Sequence, residues 1–79
     1  MHDSLDRLPV GRAAVIIKLE SRGAARRRLI DLGFGEGERV FCVSESPFGD
    51  PKAYRVRGCV IALRREDAAR ITVQQESAG

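Results

Sequence analysis

Apolar and polar side chains alternate along most of this chain. Between Gly11 and Leu19 it reads GRAAVIIKL, with Ala13, Val15, Ile17 and Leu19 on one face and Ala14, Ile16 and Lys18 on the other. A period of two with β-branched residues predicts a strand. The period returns in ERVFCVSE (38–45), where Val40 and Cys42 share a face opposite Phe41 and Val43. In KAYRVRG (52–58), Tyr54 and Val56 are expected inward, with Lys52, Arg55 and Arg57 outward. Gly58 opens a tight connection into CVIAL (59–63), with Ile61 and Leu63 toward the core, and ITVQQ (71–75) supplies a fifth strand.

Residues 22–37, RGAARRRLIDLGFGEG, break the alternation. At 100° per residue Ala25, Leu29 and Leu32 form one stripe, which predicts a short helix that Ser21 is placed to cap. Gly33 stands where a left-handed C′ residue belongs, and Phe34 is expected to fold back on Leu29. Gly35-Glu36-Gly37 then forms a turn, with Gly37 at positive φ. SPFGDP (46–51) is a loop, and REDAAR (65–70) suits a single helical turn. Leu5 and Leu8 are placed to pack, but the first residues are expected to be loose and the tail ESAG (76–79) frayed. Five short strands, one helix and a helical turn predict a mainly β fold, a small closed or nearly closed antiparallel barrel. The chain is expected to form one domain spanning residues 1–79, with its core between about residues 8 and 73.

Composition narrows the function. The core must be aliphatic, since the chain has three phenylalanines, one tyrosine and no tryptophan. The net charge is +3, with both signs interspersed. A chain that neutralises many phosphates usually carries a larger, more segregated excess, so nucleic acid is not the favoured partner. The one local imbalance is Arg22 to Arg28, with four arginines and no acid. Cys42 and Cys59 form no C-x-x-C pair and are read as reduced, buried, structural thiols. No apolar leader or run of spanning length occurs, which favours a soluble, cytoplasmic protein.

Catalytic and metal-binding constellations are lacking. His2 is the single histidine, and no Ser-His or Cys-His arrangement is suggested. Asp50, Glu66 and Asp67 lie in turn-like contexts, where capping and solubility account for carboxylates. The glycines at 33, 35 and 37 follow a helix, so they aim no helix N-terminus at a phosphate. An enzyme is not expected, nor a cofactor or a metal site. Arginines near a helix start oppose its dipole, and Arg27 to Asp31 runs in the less favourable order for an i,i+4 pair. Arg26, Arg27 and Arg28 are therefore candidates for contact with an acidic protein surface. Phe48, at the tip of a polar loop, has no obvious core to join and is a candidate anchor. Asp50 and the outward Arg55 and Arg57 complete the candidate partner-binding set.

These residues fall in an order that resembles the FeoA family of bacterial ferrous iron uptake. The matching positions are Gly23 with Arg26-Arg27-Arg28-Leu29, Asp31-Leu32-Gly33, Gly37, Val40, Pro47, Gly49-Asp50-Pro51, Arg55-Val56-Arg57-Gly58, and Leu63-Arg64 before Ala68 and Ile71. The similarity spans residues 8–73. Phe48 stands where the family often has leucine, Glu36 where proline is common, and Cys59 where a larger residue is usual. The resemblance implies an SH3-like β-barrel. It also implies an accessory role beside FeoB, the membrane transporter with a cytosolic GTP-hydrolysing domain. The competing assignment is an SH3-like nucleic-acid-binding or metal-regulator-type adaptor domain. The aromatics are too scattered to promise a groove for proline-rich peptides.

Overall fold

The computed structural model describes residues 2–76; of the tail expected to fray, residues 77–79 lie outside the described residues. Six strands form one antiparallel sheet: β1 (His2–Ser4), β2 (Ala13–Leu19), β3 (Arg39–Glu45), β4 (Lys52–Val56), β5 (Cys59–Leu63) and β6 (Ile71–Gln75), in the order β1-β6-β2-β3-β4-β5. Helix α1 (Gly23–Leu32) joins β2 to β3, and the single turn α2 (Arg65–Ala68) joins β5 to β6. The five predicted strands and both helical pieces are present. The ladder does not close, however, and leaves β1 and β5 as edges.

The buried side chains come from one face of the sheet: Ala14 and Ile16 of β2, Val40 and Cys42 of β3, Tyr54 and Val56 of β4, Leu63 of β5, and Ile71 and Val73 of β6. Strict alternation fails in β2. There the ladder to β6 skips from Ile16 to Lys18, so Ile17 is an extra residue and the inward set changes from Ala14 and Ile16 to Leu19. A second skip lies in β3 between Cys42 and Ser44. Such bulges bend the strand and sharpen its twist, which turns the apolar face toward itself.

Residues 2–4, expected to be loose, are paired. His2–Ser4 pairs with β6, and residues Leu5–Arg7 form a 3₁₀ turn that buries Leu5 and leads into the buried Leu8. Strand β4 holds this turn. The Lys52 amine donates to the carbonyls of Asp6 (2.9 Å) and Leu8 (3.0 Å), and the Tyr54 hydroxyl donates to that of Leu5 (3.4 Å). Lys52 is therefore half-buried and on the face of Tyr54 and Val56, as residues two apart in a strand must be, and not outward as expected.

Helix α1 ends as the sequence indicates. Gly33 is left-handed (φ 109°), its N–H donates to the Ile30 carbonyl, and the Phe34 N–H donates to that of Leu29 (2.9 Å). These two bonds satisfy the last turn's orphan carbonyls in the Schellman pattern, with Leu29 and Phe34 both in the core. Phe34 meets Tyr54 edge to face, with ring centres 6.4 Å apart. The helix start differs from expectation. Arg22 is the N-cap residue and makes no side-chain cap bond, while Ser21 is buried. Ala25 is exposed, so Leu29 and the half-buried Leu32 carry the packing.

Both thiols are free, but only Cys42 is buried; Cys59 is exposed at the start of the edge strand β5, correcting the expectation of two buried thiols. Burial pushes the Cys42 thiol up. Under native conditions an aromatic disulfide reagent is expected to label Cys59 promptly and Cys42 only on unfolding; prompt labelling of both would contradict this packing. Replacing Gly33 with alanine places a Cβ 3.3 Å from Val56 Cγ1 in a left-handed backbone. We expect a loss of about 2 kcal/mol, read as a lower urea midpoint at unchanged slope.

Candidate functional site

The seven candidate residues occupy three places on the surface. Arg26, Arg27 and Arg28 lie on α1, where Arg26 is half-buried and the other two are exposed. Among the described residues none of the three enters an ion pair, including the i,i+4 pairing of Arg27 with Asp31. With no acid in its first turn and no side-chain cap, the helix begins with its dipole unopposed.

Phe48 stands at the tip of the β3–β4 loop and is 92% exposed. The loop is closed beneath it by Gly49 N–H donating to Ser46 (2.8 Å) and Ser46 N–H donating to Pro51 (3.1 Å). Asp50 is engaged within the chain, because its Oδ1 accepts the backbone N–H of Arg65 (2.8 Å). That bond satisfies an orphan donor at the start of α2 from a distant loop, the work an N-cap side chain does locally.

Arg55 and Arg57 flank the outer face of the hairpin. Register sets the neighbours: Ala13 is opposite Phe41, Phe41 opposite Arg55, and Arg55 opposite Val60, one transverse row across β2, β3, β4 and β5. The Arg55 guanidinium lies over the Phe41 ring, 5.6 Å from its centre. Arg57 and Gly58, both at positive φ (52° and 80°), form the two-residue turn between β4 and β5, the geometry that suits the strands' twist. Arg57 Nη1 lies 3.5 Å from Glu38 Oε2. Its aliphatic stem passes Gly33, so this corner touches the end of α1.

A further arginine joins this place that the candidate set omitted. Arg39 donates from Nε and Nη2 to the two carboxylate oxygens of Glu76, at 2.7 and 3.1 Å. The fork holds the Glu76 carboxyl below the usual carboxylate range and raises the Arg39 guanidinium further. Alternation in ERVFCVSE puts Arg39 on the face of Phe41, and that was the available signal. Its partner, 37 residues on, was not legible. Arg39, Phe41, Arg55 and Arg57 line one shallow groove. Phe48 and Asp50 lie at the opposite end of the hairpin, so the structure gathers two of the seven candidates and not the rest.

Among the described residues no three His, Cys, Asp or Glu side chains are grouped to hold a metal ion. Tyr54, buried and bonded to Leu5, has its phenol pushed well up by burial. No helix among the described residues is long and apolar enough to cross a membrane.

Known proteins place this architecture. Residues 4–75 match the family model described as the FeoA domain. The chain is 41% identical over 70 residues to an Fe(2+) transport protein A/Fe(2+) transporter FeoB fusion protein of Porphyromonas gingivalis, covering 89% of this chain and 8% of that protein. It thus spans under a tenth of the length of this curated relative. The structure of FeoA from Chlorobium tepidum superposes with a TM-score of 0.88 at 32% identity, covering 96% of this chain and 72% of that one. FeoA from Stenotrophomonas maltophilia, solved with zinc and described as an SH3 domain protein, superposes at 0.81 and 34%, covering 96% and 98%. The mainly β, SH3-like class expected from the sequence is the class observed.

The Arg39–Glu76 fork has a sign that can be tested. A carboxyl whose folded pKa is depressed contributes stability that is present above its unfolded pKa and lost as pH falls through the folded one. The Glu76 side-chain carbon is expected to titrate below the ordinary glutamate range, and Arg39→Gln to return it there. Identical titrations in the two proteins would contradict the fork.

Proposed function

The chain belongs to the FeoA family, and we propose that it is an accessory domain of bacterial ferrous iron uptake that docks on the cytosolic GTP-hydrolysing part of an FeoB-type transporter. The observation that carries this reading is the fusion in Porphyromonas gingivalis, where a sequence 41% identical to this one shares a polypeptide with the transporter. Joining two modules raises their effective concentration, which favours partners that act on one another. The residues support the same reading. Exposed arginines on α1 outside any ion pair of the described residues, an exposed Phe48 and an arginine-lined sheet face are docking features, while the buried groups are committed to packing. In this reading the domain works in the cytosol, supports or regulates transport through contact, and iron is the transporter's cargo, not a ligand of this chain.

Titration of the transporter's soluble GTPase domain with this protein tests the proposal. Saturable association that weakens as salt rises is expected, since charged contacts are screened. Absence of association, together with full-length transporter in vesicles that moves ferrous iron equally with and without the protein, would overturn it.

A further inference from the structure

On the outer face of the sheet, Arg55 stands among apolar neighbours outside any ion pair of the described residues. Val60, opposite Arg55 in the ladder, is 57% exposed, and Phe41 and Ala13 on the other side of Arg55 are partly exposed. Arg39 and Arg57 border this row, each with a carboxylate of its own, Glu76 and Glu38. No ion pair among the described residues involves Arg55. Its guanidinium is held instead against the Phe41 ring.

We propose that this face, centred on Arg55 with Phe41 and Val60 beside it, docks a protein segment in which a single acidic residue is flanked by aliphatic ones. The inference rests on the docking role proposed above and names the surface and chemistry that would perform it. Charge complementarity selects the occupant. A nucleic acid or a phosphate-rich surface would bring a row of anions toward Glu38 and Glu76, the carboxylates paired with Arg57 and Arg39, with Arg55 the groove's one arginine outside an ion pair among the described residues. A segment bearing one carboxylate meets that one free guanidinium, while its neighbours cover Phe41, Val60 and Ala13. The aromatic pins the arginine, so little side-chain freedom is lost when the carboxylate arrives. The Arg39–Glu76 fork shows the geometry an arginine of this surface adopts with a carboxylate.

The test uses the whole chain in two arms. In the first, the transporter's soluble GTPase domain is titrated with wild type, with Arg55→Glu, and with Arg64→Glu, the same charge change beyond the far end of β5. Loss of about tenfold or more in affinity for Arg55→Glu, with Arg64→Glu near wild type, supports the inference. Wild-type binding that Arg55→Glu leaves intact overturns the inference and leaves the docking role standing. In the second arm, the acetylated and amidated pentapeptide Ser-Val-Glu-Val-Ser is added to isotopically labelled protein. Saturable shifts centred on Phe41, Arg55 and Val60, with a Kd of about 1 mM, are expected. Arg55→Glu should abolish them and respond instead to the lysine-centred peptide Ser-Val-Lys-Val-Ser. If these shifts appear while the GTPase domain fails to bind, the surface chemistry is supported and the docking role fails. No shifts at this face, tighter binding of a ten-nucleotide thymidine strand to it, or a dimer of this chain that occludes it, each overturns the proposal.

Discussion

With one sheet and a single short helix, this chain buries one sheet face largely by bending the sheet over itself, and the rest of the small protein depends on that bend. The two ladder skips, at Ile17 in β2 and at Val43 in β3, supply local curvature where the strands must turn. The inward row of Ala14, Ile16, Val40, Tyr54, Val56 and Val73 then packs against Phe34 and Leu29 from the end of α1, and against Leu5 and Leu8 from the start of the chain. A chain of this size has little surplus burial. Each end of the fold is also fixed by polar bonds: Lys52 and Tyr54 to the start of the chain, and Asp50 to α2.

The same bend decides where chemistry can occur. Strand β4 divides its side chains between two tasks, with Lys52, Tyr54 and Val56 holding the interior and Arg55 presented outward. Two groups that might otherwise react, Cys42 and Tyr54, lie in the core, where burial disfavours their ionised forms. Accessible at the surface are the Cys59 thiol, the exposed arginines of α1, the projecting Phe48, and the outer row across the hairpin. Membership of the FeoA family and the fusion to a transporter in a relative agree with a domain that acts by contact.

Much of this was legible in the sequence where a local rule applies. The Gly33-Phe34 helix end, the turn at Gly58 and the inward pairs Val40/Cys42 and Tyr54/Val56 follow from backbone geometry and a period of two. Features set by distant partners were not legible. Ser21 is not the cap, because the chain buries it before the helix begins. The first strand is three polar residues whose pairing with β6 no periodicity announces. Lys52 differs from these, since period two already puts it on the face of Tyr54 and Val56; only the carbonyls of Asp6 and Leu8 that meet its amine were hidden. Among the candidate contacts, Asp50 proved to hold α2, while Arg39 and its fork to Glu76 were missed because their separation along the chain hides them.

A domain that docks through a preformed exterior keeps its interior closed as it binds. Methyl spectra of valine-, leucine- and isoleucine-labelled protein, recorded as the transporter's GTPase domain is added, test it most directly. Outward methyls such as those of Val15 and Val60 are expected to move, with Val40, Val56 and Val73 unmoved. Changes centred on the inward set, signalling that the sheet opens to bind, would contradict it.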